Sequence, residues 1–185
     1  LPDLTRLASG SSAASLPDGL YRPPGSKMQV LTGGFPGPGD GGSMRAYLCG
    51  MPLSPHPSTW LYPTPQGLWC EPGRFFIDPV RPVERAVITH GHGDHARPGH
   101  QAVLATPETL EIMKVRLGEG AGGTLDPSPY GETRTVGDVE VSLHPAGHIL
   151  GSAQVKIVHR GACAVVSGDY KRAADPTCAP FELQR

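Results

Sequence analysis

What this sequence lacks narrows it first. There is no surplus of basic charge: 16 Lys and Arg stand against 17 Asp and Glu, a formal net charge of −1. A globally basic nucleic-acid binder is thereby excluded, and any such surface has to be local. There is no Cys-x-x-Cys pair. Cys49, Cys70, Cys163 and Cys178 lie far apart, which argues against a zinc ribbon or a redox dithiol. Their density is too low for a disulfide framework, so they read as reduced thiols in a cytosolic protein. No apolar run approaches the ~20 residues that a membrane span needs. No basic segment followed by an apolar one opens the chain, so no secretory signal is expected. There is no initiating methionine either. The chain starts at Leu1 and is expected to be a fragment or to include sequence upstream of a natural start, with Met28, Met44 and Met51 as candidates. No internal repeat is found.

What is there is uneven. Gly (25) and Pro (21) make up about a quarter of the 185 residues, and a third of residues 1–57. Phe35-Pro-Gly-Pro-Gly-Asp-Gly-Gly42 can neither propagate a helix nor pair in a central strand. Residues 1–57 are therefore expected to be a disordered leader, and 58–185 the folded part. From Trp60 onward short strands alternate with Pro and Gly turns: Trp60–Tyr62, Leu68–Cys70, Arg74–Ile77, Ala86–Thr89 and Ala102–Ala105. A helix follows. Thr106 suits its N-cap, Pro107 its first position and Gly118 its end, and Leu110, Met113 and Leu117 give one apolar face. Residues 118–131 are expected to be a loop. Val139, Val141 and Leu143 then alternate with polar residues after a turn at Val136-Gly-Asp138. A hairpin around Arg160-Gly161 joins Val155 and Ile157 to Cys163–Val166. Many short strands with few helices predict a sheet-rich α/β or α+β domain.

The chemistry concentrates after the strands. Four of the eight histidines fall between positions 90 and 100, in His90-Gly-His92-Gly-Asp94-His95 and at His100. Alternate residues of an extended loop point the same way, so His90 and His92 can grip one ion while Asp94 and His95 face a second position. Asp78, His148 and Asp169 each follow another predicted strand. Alone, each of those three is an ordinary turn or surface residue. Four liganding residues in six positions are not, and a two-ion site needs ligands from further loops. Imidazole and carboxylate without thiolate suit Zn²⁺ in open coordination, with Mn²⁺ or Fe as alternatives. Two ions ~3.5–4 Å apart can clamp a phosphoryl or acyl centre, and a bound water with its pKa lowered towards ~7 supplies a nucleophile. His100 and His144 stay open between a supporting position and the surface. Lys171 and Arg172 could contact phosphate or simply be solvated.

His90-Gly-His-Gly-Asp-His95 resembles the signature of the metallo-β-lactamase superfamily. Pro145-Ala-Gly-His-Ile-Leu-Gly-Ser152 and Ser167-Gly-Asp-Tyr-Lys-Arg172 resemble the next two motifs of its nucleic-acid-processing β-CASP branch. Thr64–Gly73, Pro79–Thr89 and Ser167–Glu182 are similar to the bacterial ligase-associated DNA exonucleases, also described as mRNA 3′-end processing factor-like exonucleases. The resemblance covers about residues 58–185. It implies an αββα sandwich, of which the chain holds the first half, and a bacterial cytoplasmic enzyme acting on nucleic acid, DNA before RNA. A DNA ligase or helicase is implied as a partner in repair. It also implies two zinc ions: His90, His92 and His148 on one, Asp94 and His95 on the other, and Asp169 bridging, with Asp94 and Asp169 catalytic and Asp78 supporting. Hydrolysis of a phosphodiester by metal-bound hydroxide is the implied reaction. An RNA exonuclease of the same branch is the alternative. A small-molecule hydrolase fits Ser167–Arg172 poorly. The family's β-CASP cap, its later acid and histidine motifs and its last zinc-binding histidine are missing from residues 1–185, which leaves a metal-binding but inactive fragment as the rival for the chain as written.

Overall fold

The computed structural model describes residues 54–184. Of the leader expected over 1–57, residues 1–53 lie outside the described residues. His56 caps a short 3₁₀ turn, Pro57–Thr59, that leads into the first strand.

The fold is mixed α/β, with two sheets and one α-helix among the described residues. The first sheet runs in the order β1 (Leu61–Thr64), β2 (Gly67–Cys70), β3 (Phe75–Ile77), β4 (Arg85–Val87), β5 (Ala102–Ala105), β6 (Thr124–Pro127). Its first three strands are antiparallel and β3 to β6 are parallel. The second is an antiparallel meander in space, β7 (Thr133–Val136), β8 (Val139–Pro145), β9 (Ala153–His159) and β10 (Ala162–Val166). Arg160 and Gly161, both at positive φ (47° and 79°), make the tight β9–β10 turn whose twist matches the strands it joins. Helix α1 (Pro107–Leu117) starts where the sequence predicts, with the Thr106 hydroxyl accepting from Thr109 N at 3.2 Å.

Two apolar layers hold this together. Phe75, Ile77, Val87 and Leu104 of the first sheet pack on Val141, Leu143, Val155 and Ile157 of the second. On the other face of the first sheet, Ala86, Ile88, Val103 and Ala105 pack on Leu110 and Met113 of α1. Each large side chain fully buried this way contributes about 1.5–3 kcal/mol. The layering is helix, sheet, sheet.

One expectation is corrected. Residues 118–131 are not a continuous loop: they hold a 3₁₀ turn (Gly118–Ala121) and the edge strand β6. Thr124-Leu-Asp-Pro127 has no apolar alternation; it is a strand because β5 offers it a parallel ladder, from Ala102↔Thr124 to Ala105↔Pro127. Proline is tolerated there because β6 lies at the edge of its sheet.

The topology positions the chemistry. Asp78 follows β3, His90 follows β4, His148 follows β8 and Asp169 follows β10. β3 and β4 are parallel neighbours, and β8 and β10 flank β9 in the same direction, so each pair of loops opens at one end of its sheet.

Candidate metal centre

His90 is fully buried just beyond β4, whereas His92 and Asp94 are exposed. Nδ1 of His92 faces Nε2 of His90 at 3.0 Å and Nε2 of His148 at 3.3 Å. Two nitrogens on one tetrahedral zinc at 2.0–2.1 Å stand ~3.3 Å apart. The spacing therefore fits three imidazoles around one small cation. An imidazole nitrogen carries either one proton or one lone pair, so His92 Nδ1 can pair fully with only one of these neighbours at a time. Ligand atoms of His90, His92, His148 and Asp169 all lie within 4.8 Å of one another, and this group could hold a metal ion.

A second group adjoins it through Asp169. Oδ2 of Asp169 lies 4.0 Å from His90 Nε2, 3.9 Å from His148 Nε2 and 3.8 Å from His95 Nε2. The same His95 nitrogen is 3.7 Å from Oδ2 of Asp94. Asp169 thus faces the three-histidine group on one side and Asp94 with His95 on the other.

Asp78 sits behind both. Its carboxylate accepts from Thr89 N (2.8 Å), Thr89 Oγ1 (2.6 Å) and His95 Nδ1 (2.7 Å). A carboxylate only accepts, so His95 carries its proton on Nδ1 and turns an Nε2 lone pair to the site. The Thr89 hydroxyl has one proton and gives it to Asp78. Its contact with His90 Nδ1 at 3.1 Å must then be donation from the ring. His90 too presents a bare Nε2. One carboxylate therefore sets the tautomer of two candidate ligands, directly for His95 and through Thr89 for His90. Gly168 is needed for this packing: a Cβ there would lie 2.8 Å from Thr89 Cβ, and φ is +57°.

The electrostatics follow. Burial, with the neighbouring His95, pushes His90 down to about 4, so it is neutral at pH 7, the form a cation requires. Burial, then His92, lowers His148. Burial also works against charge on His95, but the Asp78 hydrogen bond and the charges of Asp78, Asp94 and Asp169 outweigh it and raise its pKa. Slight burial opposes ionisation of Asp94, yet its backbone hydrogen bond and the surrounding histidines hold its carboxyl below the usual range.

The remaining sequence-predicted residues lie elsewhere. His144 is held on β8 by Ser142 Oγ (3.0 Å) and Glu182 Oε1 (3.2 Å), away from the cluster. His100 is buried, its Nδ1 accepting from Val83 N at 3.3 Å. Lys171 Nζ is taken up by Asp175 Oδ2 at 2.8 Å. Arg172 is exposed three residues beyond Asp169. Sequence reasoning missed Thr89 and Ser152. The latter's hydroxyl accepts from His148 N (3.0 Å) and Ile149 N (3.2 Å) and so shapes the turn that presents His148. Their only signal was a hydroxyl residue inside a ligand-bearing motif.

No family model matches the chain. It is similar to a protein of Opitutus terrae described as a probable DNA ligase, 33% identical over 120 residues, covering 62% of this chain and 12% of that one. It is also similar to ribonuclease TTHA0252 of Thermus thermophilus, 32% identical over 119 residues, covering 51% of this chain and 27% of that one. The chain thus spans about an eighth and about a quarter of the curated relatives it matches. Among solved structures it resembles a metallo-β-lactamase with a HARLDQ motif from Cronobacter sakazakii (17% identity, TM-score 0.39, 57% of this chain and 53% of that one). It also resembles a B3 metallo-β-lactamase with an active-site glutamic acid (18% identity, TM-score 0.38, 60% and 58%).

Proposed function

We propose that residues 58–185 carry the metal centre of a nucleic-acid phosphodiesterase, a zinc-dependent DNA exonuclease of the β-CASP branch of the metallo-β-lactamase superfamily, working beside a DNA ligase or helicase. The observation that carries this reading is the position of Asp169 Oδ2, within 3.8–4.0 Å of Nε2 of His90, His95 and His148. A carboxylate so placed is shared between two groups of donors, as a paired-metal hydrolase requires.

In this reading His90, His92 and His148 would hold one ion and Asp94 and His95 the other, with Asp169 available to both. Divalent ions bound there supply Lewis-acid charge at a phosphoryl oxygen and lower the pKa of a bound water. The chain's own residues do the rest. Asp78 and Thr89 keep the Nε2 lone pairs of His95 and His90 aimed inward. Asp94, its side chain 74% exposed, stands on the open side and can exchange a proton with solvent or a leaving group. Arg172 is the more available of the two basic candidates for a substrate phosphate, because Asp175 already holds Lys171. Of the two relatives, one is described as a ligase and the other as a ribonuclease, so RNA is the second reading.

The test is cleavage of matched single-stranded DNA and RNA oligonucleotides by the zinc- or manganese-loaded protein. Metal-dependent shortening from one end, lost in His92→Ala and larger on DNA, is expected. Unchanged cleavage in His92→Ala would remove the proposal, and a preference for RNA would move it to the second reading.

A further inference from the structure

We infer that helix α1 sets the spacing of the two histidine-bearing loops, and that Arg116 is the residue through which it positions His92. The inference rests on the metal reading for one of its readouts only.

His92 needs an external anchor. It is exposed, and its ring's polar contacts among the described residues are Nε2 of His90 and Nε2 of His148, the atoms it must approach without blocking. It stands between two glycines, so neighbouring side chains do not brace it. Its placement must come from the backbone.

That backbone is held from α1. Nη1 of Arg116 donates to the Gly91 carbonyl at 2.6 Å. The same guanidinium covers the next glycine: a Cβ at Gly93 would lie 2.9 Å from Nη2. Ile112, one turn earlier on the same helix face, rests on Gly91, where a Cβ would come within 2.6 Å of its Cγ2. An exposed arginine in a last helical turn ordinarily serves its own helix end or water. Here it reaches 25 positions back to the ligand loop.

The other end of α1 holds the second loop. The hydroxyls of Thr106 and Thr109 both donate to the Gly151 carbonyl, at 2.7 and 3.0 Å, three residues beyond His148. Between Thr106 and Arg116 the helix is a stiff rod of ~15 Å. Both loops are tied to it, so their separation is set by helix geometry rather than by loop conformation.

The experiment compares the full chain with Arg116→Ala, Arg116→Lys and Thr109→Val in two ways. Amide hydrogen exchange on the metal-free proteins is expected to speed up over residues 90–96 in Arg116→Ala. Lysine, which keeps one donor for Gly91, restores protection, and the melting temperature stays the same because Arg116 is exposed. Zinc titration against a chromogenic chelator, with the visible spectrum of the cobalt form, is expected to show about tenfold weaker binding and an altered band in Arg116→Ala. Thr109→Val should fall less, because Thr106 still donates to Gly151. Unchanged exchange over 90–96 in Arg116→Ala overturns the inference whether or not metal binds. So does a loss of metal affinity that lysine fails to restore. Absence of metal binding by the unmodified chain instead removes the proposed function and leaves the exchange result to decide the tie.

Discussion

Asp78→Asn is the perturbation whose consequence the geometry specifies most fully. Residue 78 sits at φ 44°, a left-handed conformation that asparagine tolerates as aspartate does, so the backbone does not confound the result. If the amide oxygen keeps its bond to Thr89 N, the amide NH₂ takes the place of Oδ2, facing Thr89 Oγ1 and His95 Nδ1. An acceptor shared by two donors becomes a donor. His95 must then accept at Nδ1 and carry its proton on Nε2. Thr89, now an acceptor, turns its own proton to His90 Nδ1, which moves the His90 proton to Nε2 as well. Both histidines end with a proton where a lone pair is needed. Restoring the metal-binding tautomers sets donor against donor twice, at about 1–3 kcal/mol for each part-buried contact. His95 and residue 78 retain 12% and 15% exposure, which lets the side chains swing and water relieve part of this. The expected loss of metal affinity is therefore about ten- to hundredfold, or about 1.4–2.7 kcal/mol. It should fall hardest on the position that includes His95, which Asp78 contacts directly. Competitive zinc titration and cobalt stoichiometry measure it, with near-ultraviolet circular dichroism confirming the fold. Equal affinity for both equivalents in a folded Asp78→Asn protein would refute the argument that this carboxylate sets the tautomers.

Thr89→Val keeps the shape and removes the relay. It should weaken metal binding through His90 by about tenfold, and combined with Asp78→Asn it should cost less than the two added together, which a double-mutant cycle reads. Gly168→Ala should destabilise by roughly 1–3 kcal/mol in urea unfolding, because the new methyl meets Thr89 at 2.8 Å on a backbone at positive φ. Metal-free protein should lose stability in acid. Burial holds folded His90 near 4 against about 6.5 unfolded, so its contribution is complete above 6.5 and lost as the pH falls through 4; His100 and His148 are shifted the same way. A melting temperature that stays flat between pH 6.5 and 4 after chelation would contradict that. Ile157→Ala, emptying a fully buried site between the sheets, should cost about 2–5 kcal/mol in the same unfolding assay.

The parts legible in the sequence are those whose cause is local. The α1 start is written in Thr106-Pro107 and its end in Gly118, because capping depends on neighbours a few residues away. The inward face of β8 is written in Val139, Val141 and Leu143. Its outward face was only half legible. Glu140 is exposed as expected, but Ser142 is 9% exposed, bonded to a His144 that Glu182 holds from 38 positions away. Strand β6 was illegible for a similar reason: β5, not its own residues, makes it a strand. The spacing of the candidate ligands from His90 to His95 is local, so the sequence shows it whole. The grouping around Asp169 depends on which strand ends point the same way, and that is topology. Asp78 shows the division within one residue. Its position after a strand was visible, but its work is a contact with His95 17 positions on and Thr89 11 positions on. Those separations have no periodicity to betray them. The same holds for Arg116, which by pattern is only a basic residue in the last turn of a helix. A site of this kind is therefore read in two steps. Spacing names the atoms that can touch an ion, and the folded chain names the residues that keep those atoms bare and aimed.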